Sequence, residues 1–197
     1  VIDWLDRALC LMRPRQWPIL TAQLLVGVLA APGIALRLLD AAEPPDGGDA
    51  IAAVTLAGAW CAWVVLLNGG TLAFNSAYDR DTTAVAYLAR PPVPPNGLAA
   101  AALGALVIAP VLGALAVGTS FALLTAVCVG LSIAYSHPRW RWKGRPGLDL
   151  TVNVVGYGAG TTLAGWLAGT AAAGALTRPS ANGGPWWLTA GFGLLFG

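Results

Sequence analysis

Four hydrogen-bonding side chains recur inside a long apolar run: Asn68, Thr71, Asn75 and Asp79, at spacings of three, four and four. That spacing predicts one polar face on an otherwise apolar helix. Asp81 follows two residues later, beside Arg80, where the helix is expected to emerge. Further along, the residues from Tyr135 to Asp149 carry Arg139, Arg141, Lys143 and Arg145, the densest cationic stretch of the chain. Asp149, Asn153, Tyr157 and Thr161 then repeat every four residues and predict a second polar face. Carboxylates beside arginines, at the end of a polar stripe, suit a hard cation that carries phosphate. Arginine holds phosphate oxygens in a planar fork, and lysine acts on them as a point charge. Two plainer readings stand beside this one: a helix end with solvated charges, and a basic loop that anchors the chain against anionic lipid headgroups.

The elements that must position these groups follow from composition. Hydrophobic residues make up 57% of the 197 and charged residues only 10%, against about 25% charged in a soluble domain. The mean hydropathy is +0.68. These values predict an integral membrane protein, in which a polar stripe faces the interior of a bundle and marks a site. Residues 1–12 predict a short amphipathic helix lying in the interface. Arg13, Arg15 and Trp17 suit the headgroup level. Five crossings are expected, at about 19–36, 50–77, 97–117, 121–135 and 149–173, with Pro110 kinking the third. They are joined by an acidic Pro/Gly loop at 40–49, a loop at 82–96, a tight turn at 118–120, the basic loop at 137–148, and a Gly/Pro loop at 174–185. A sixth apolar run, 186–197, is shorter than the 17 to 25 or so residues that a crossing takes. The expected fold is therefore an all-α polytopic bundle in a single domain over 1–197, C-terminally incomplete.

Nine basic residues fall on one side of this threading and two, Arg37 and Arg178, on the other. The excess predicts a cytoplasmic N-terminus in the cytoplasmic membrane, with the loops at 78–96 and 137–148 on the same face. Apart from that basic loop, no basic cluster is backed by aromatics in the way that would suggest nucleic acid, and no nucleic-acid partner is expected. Cys10, Cys61 and Cys128 show no metal-ligand spacing. His137, the single histidine, reads as a loop residue.

The run from Asn75 to Asp81, with Arg90-Pro91-Pro92 downstream, and Tyr135-Ser136 followed by Arg141, Lys143, Pro146 and Asp149, together resemble the UbiA superfamily of intramembrane prenyltransferases. So does the approach to the first crossing, Arg13-Pro14-Arg15-Gln16-Trp17. The resemblance runs from about residue 13 to about 170. It implies a bundle of about nine helices around a central cavity, and Mg2+-dependent transfer of a prenyl group from a polyprenyl diphosphate to a small hydrophobic acceptor, aromatic or lipid-like. It implies that Asn75, Asp79 and Asp81 hold Mg2+, and that Asp79, Asp81 and Lys143 are catalytic. Substrate binding falls to Asn75, Arg80, Arg90, Tyr135, Arg141, Arg145, Asp149 and Asn153. Membrane lipid is the remaining partner. Aromatic faces, Tyr78, Tyr157 and the tryptophans among them, could stabilise an allylic cation, or could simply be packing residues.

Two departures from the family pattern matter. The family's first motif ends in an acid where this chain has Thr83, and Asp81 is the substitute. On a regular helix residues 79 and 81 point apart, so both reach one ion only if the helix unwinds there. The family's second acidic motif follows its sixth crossing, whereas the last acid here is Asp149. A chain of this extent is therefore expected to be inactive alone. The competing class is a non-catalytic membrane protein, a transporter half or a lipid-binding subunit.

Overall fold

A computed structural model describes residues 2–34, 47–176 and 186–196. The described residues form helices and contain no named strand. Helix α1 is Ile2–Leu11. A 3-10 turn, Pro14–Gln16, leads into α2, Trp17–Ala30. Helix α3 runs unbroken from Gly47 to Asp79, α4 spans Leu98–Ala116 and α5 spans Thr119–Ser136. Leu148–Val152, Asn153–Ala159 and Gly160–Leu176 follow one another without a gap and together make α6. Helix α7 is Trp186–Phe196. The positions 35–46 and 177–185 lie outside the described residues. They include most of the expected acidic loop, Arg37 and Arg178. Gly47 to Asp49 of that loop instead form the first turn of α3.

Three helices, α3, α4 and α5, are long and apolar enough to cross a membrane. The burial pattern of the bundle agrees with an apolar surrounding. Val54, Val107, Leu115 and Leu123 are exposed, while Gln23, Thr125, Thr161 and Thr162 are buried. Two buried hydroxyls are bonded within their own helix: Thr125 Oγ1 donates to the Phe121 carbonyl at 2.7 Å and Ser132 Oγ to the Cys128 carbonyl at 2.8 Å. Such back-bonding lets a polar residue sit inside an apolar helix.

Helices α4 and α5 form a hairpin whose turn is Gly118, at φ 128 and ψ −179, a region open to glycine alone. Pro110 lies inside α4 without ending it. Helices α2 and α6 come closest. A Cβ on Gly27 would lie 2.1 Å from the Thr162 carbonyl oxygen, and one on Gly165 would lie 2.0 Å from that of Leu24. Without a side chain at either position, the two backbones touch, which is how helices gain dispersion where the hydrophobic effect is weak. Helix α7 packs chiefly on Asn153–Ala159 of α6, with the Phe192 carbonyl against Gly158.

Two stretches depart from the regular spacing that the sequence suggests. Cys61–Gly69 within α3 and Asn153–Ala159 within α6 are π-helical. A π turn widens the helix, shifts the register of the residues after it, and recurs at functional positions. Here Gln23, which is buried, donates from Nε2 to the carbonyls of Tyr157 at 3.1 Å and Gly158 at 2.7 Å. A side chain of α2 thus takes up acceptors within the widened segment of α6.

Candidate functional site

A cavity of about 540 Å3 lies between α2, α3, α5 and α6. Both predicted stripes face it. Asn68, Thr71 and Asn75 line one wall, and Asn153, Tyr157 and Thr161 the other. The π segments fall on these walls, contributing Trp63 and Asn68 from α3 and Asn153 and Tyr157 from α6. The polar groups are largely tied to one another. Thr71 Oγ1 donates to Ser132 Oγ at 2.8 Å, Trp63 Nε1 to Thr161 Oγ1 at 3.1 Å, and Gln16 Nε2 to the Tyr157 hydroxyl at 2.6 Å. Trp63 is further fixed by an edge-on contact with Phe121, ring centroids 5.8 Å apart.

The charged groups gather at one end. Lys143 turns inward, and its Nζ donates to Asn75 Oδ1 at 2.9 Å and to the Asp79 carboxylate. One ammonium therefore joins the basic loop to the end of the first stripe. Helix α3 stops at Asp79 because Arg80 adopts the left-handed conformation, φ 49 and ψ 44. Asp81 lies beyond the helix, so the divergence of 79 and 81 on a regular helix does not apply to it. Both acids act on Arg13, whose guanidinium is pulled below its ordinary value by burial and held up against that by Asp81 and Asp79. Tyr135 meets Asp149 and Asn153, and Asn153 Nδ2 donates to the Asp149 backbone carbonyl at 3.0 Å.

Asn75, Asp79, Lys143, Tyr135, Asp149 and Asn153 are thus brought together, with Asp81 close by across Arg13. Of the predicted site residues Asn75, Tyr135 and Asn153 line the cavity, whereas Asp79, Asp81, Lys143 and Asp149 do not line it themselves; Arg80, Arg90, Arg141 and Arg145 are exposed and do not line it either. In the basic loop the inward position is Lys143 alone, while Arg139, Arg141 and Arg145 face outward.

The sequence reading misses several members of the site. Arg13 and Arg15 are expected at the headgroup level. Arg13 instead is 7% exposed and lines the cavity, with its Nε unpartnered. Its left-handed backbone, φ 53, makes the turn from α1 to α2 and sends the side chain inward. Gln16 and Ser132 are missed as well: each stands three residues from one other polar lining side chain, Arg13 and Tyr135, a pair too short to read as a stripe. The loop at 82–96 contributes a tight turn in which Val85 and Leu88 exchange backbone hydrogen bonds of 3.0 and 2.9 Å. The two residues between them, Ala86 and Tyr87, border the cavity.

The co-location expected for the N-terminus and the two loops is present at this end of the bundle. Trp4 Nε1 donates to the Asn96 carbonyl at 2.9 Å, and Tyr78 meets His137 edge-on at 5.7 Å.

No family model, curated protein or solved structure matches this chain. Among the described residues, fold and site together define an all-helical bundle with three helices fit to cross a membrane, and a cavity with polar stripes on its walls and charged groups gathered at one end.

The donor set bears on Mg2+ directly. Asn75 Oδ1 and the Asp79 carboxylate converge on a single cation, the Lys143 ammonium. Two oxygen donors converging on one point fit the habit of Mg2+, which takes one or two carboxylates and completes its shell with water and phosphate oxygens. Among the described residues no three His, Cys, Asp or Glu side chains form a self-sufficient metal site. An ion held here would therefore depend on a phosphate ligand.

Proposed function

We propose that this chain is the diphosphate-binding part of an intramembrane prenyltransferase of the UbiA type, which moves a prenyl group from a polyprenyl diphosphate to a hydrophobic acceptor. The observation that carries the reading is a cavity walled by both polar stripes, at whose charged end Lys143 joins Asn75 and Asp79. In this reading the first, fifth and sixth apolar runs also enter the bilayer, giving five crossings and a partial sixth.

Lys143 and Arg13 attract the diphosphate to the cavity mouth and oppose its negative charge as it departs. Asn75 and Asp79 would hold Mg2+ with it, Asp81 standing beside them, and the ion would supply neutralisation of the leaving group. The exposed Arg80, Arg90, Arg141 and Arg145 draw the polyanion toward the mouth from outside. Tyr135, Asp149 and Asn153 set the opposite rim. The bond between C1 and oxygen breaks, the electron pair leaves with diphosphate, and an allylic cation remains. Trp63 and Tyr157 present aromatic faces to it, and the apolar side chains between the polar stripes, Leu20, Leu67 and Leu131 among them, exclude water. The acceptor bonds to C1 and releases a proton.

Purified protein in nanodiscs should bind farnesyl diphosphate with a dissociation constant at least tenfold lower in Mg2+ than in EDTA. Lys143→Ala should weaken that binding about tenfold or more, as expected for a charge-assisted contact of about 1.5 to 3 kcal/mol. Farnesol bound as well as its diphosphate would favour the lipid-binding reading instead.

The orientation gives a separate expectation. The basic excess puts the charged end in the cytoplasm. Single cysteines introduced at Asn96 and Gly144, on a background lacking Cys10, Cys61 and Cys128, should both react with an impermeant maleimide only from the cytoplasmic side. Reaction from opposite sides would remove the shared mouth.

A further inference from the structure

Tyr87 is an aromatic residue held where the local backbone favours glycine. Val85 and Leu88 exchange backbone hydrogen bonds of 3.0 and 2.9 Å, and Leu88 packs against the core of the bundle. The two residues between them, Ala86 and Tyr87, are thereby fixed at the border of the cavity. Tyr87 has φ 67. A positive φ at the third residue of a four-residue turn normally belongs to glycine or asparagine, and for a bulky side chain it is an outlier. Among the described residues Arg13, Arg80 and Arg141 share a positive φ, but each borders a helical turn that it starts or stops. Tyr87 borders no helix. It is 41% exposed, so a bound molecule can reach it. It also stands near enough to Tyr157, on the α6 wall, for its phenol to act on that of Tyr157. Strained residues persist where the surrounding structure fixes them, and they gather at ligand clamps.

We propose that Tyr87 is a ligand-contact residue whose ring covers hydrocarbon of the bound prenyl diphosphate at the border of the cavity. This rests on the prenyl-transfer reading and adds to it a residue outside both polar stripes and the charged cluster. The ring, rather than the hydroxyl, makes the contact. Lys143 and Arg13 already oppose the diphosphate charge in that reading, and a neutral phenol adds little beside two cations. An aromatic ring laid on hydrocarbon takes apolar surface of both out of water. The ring is also the one large apolar group that the turn brings to the cavity, since its neighbour there is Ala86. Glycine in the same place would relieve the backbone and leave this part of the border uncovered.

The test uses the purified full chain in nanodiscs with Mg2+, titrated with farnesyl diphosphate and with inorganic diphosphate, and thermal melts of the same samples. Tyr87→Asn removes the ring and places at φ 67 a residue that tolerates it. It should weaken farnesyl diphosphate binding about tenfold, the loss of one aromatic contact, and leave inorganic diphosphate within about twofold of wild type. It should melt at or above the wild-type temperature, because the strain is relieved. Tyr87→Phe restores the ring without the hydroxyl and should restore farnesyl diphosphate binding to within about threefold of wild type. A residue with a merely structural role would lose stability and binding together. Tyr87→Asn melting below wild type, or losing both ligands equally, overturns the proposal, as does Tyr87→Phe binding as weakly as Tyr87→Asn. Farnesyl diphosphate bound alike by wild type and Tyr87→Asn overturns it too, and leaves Tyr87 an interfacial anchor. Absence of farnesyl diphosphate binding by the wild type strikes the prenyl-transfer reading itself, and the role of Tyr87 with it.

Discussion

Replacing Asp79 with alanine should abolish the Mg2+ dependence of diphosphate binding, weakening binding in Mg2+ by about 100-fold, or about 2.7 kcal/mol. In EDTA the same variant should bind diphosphate as tightly as wild type, or more tightly. The sign differs between the two conditions because Asp79 acts in two ways. It engages the Lys143 ammonium, and with Asn75 it offers oxygen donors to a divalent cation. Without the ion, its charge only repels the ligand and occupies the lysine. With the ion, its loss removes the carboxylate that ties metal and phosphate to the protein. The variant should still fold. Lys143 keeps the Asn75 oxygen at 2.9 Å, and with its side chain 16% exposed it retains some access to water. The stability cost should therefore fall below the 3 to 5 kcal/mol or so of a fully buried broken pair. Titration of farnesyl diphosphate in Mg2+ and in EDTA reads both arms. Equal losses in the two conditions would mean that Asp79 only positions Lys143. Asp81→Ala and Thr83→Ala extend the test. Asp81 acts on Arg13 at the mouth, whereas Thr83 is exposed, so Asp81→Ala should weaken Mg2+-dependent binding and Thr83→Ala should not.

Adding one methyl group at Gly165 should destabilise the bundle by about 3 kcal/mol, the upper part of the range for overpacking a filled interior. The new Cβ would fall 2.0 Å from the Leu24 carbonyl oxygen and 3.0 Å from the Gly27 Cα. These are backbone atoms, so no side-chain rotation relieves the clash and α2 must move away from α6. That displacement reaches the site, because α2 carries Gln23 and the turn leading into it carries Gln16, and these hold Tyr157 and its widened turn. Gly165→Ala should therefore lose thermal stability and weaken ligand binding together. Gly104→Ala is the control. It sits on the exposed side of α4, and its added methyl would meet nothing within 4 Å, so the change should be neutral or slightly stabilising, alanine being the better helix former. Thermal melts of the detergent-purified variants decide the point. Equal stability at the two sites would show that the α2–α6 contact is looser than its geometry.

Much of this organisation is legible in the sequence, because the signals involved are local and periodic. Composition predicts a membrane protein, and apolar runs of nearly 20 residues predict that it is built from helices. The turn at Gly118 is marked by its glycine. The stripes at Asn68, Thr71 and Asn75 and at Asn153, Tyr157 and Thr161 announce themselves by helical spacing, and both do face one cavity. The clustering of basic residues on three segments anticipates their meeting at one end of the bundle.

Tertiary structure decides what depends on residues far apart in the chain. Spacing cannot tell that Lys143 alone of the four cations in its loop turns inward, since that depends on where Asn75 and Asp79 end up, 68 and 64 residues away. It cannot separate Arg13 from Arg15, because a single left-handed residue between α1 and α2 sets which one enters the cavity. The π turns are likewise invisible to a 3.6-residue period, for Gln23 of a distant helix helps satisfy one of them. Periodicity records which face of a helix is polar. Which polar groups touch is set by how the helices pack, and here backbone contact at Gly27 and Gly165 brings α2 and α6 close enough for Gln16 and Gln23 to reach Tyr157.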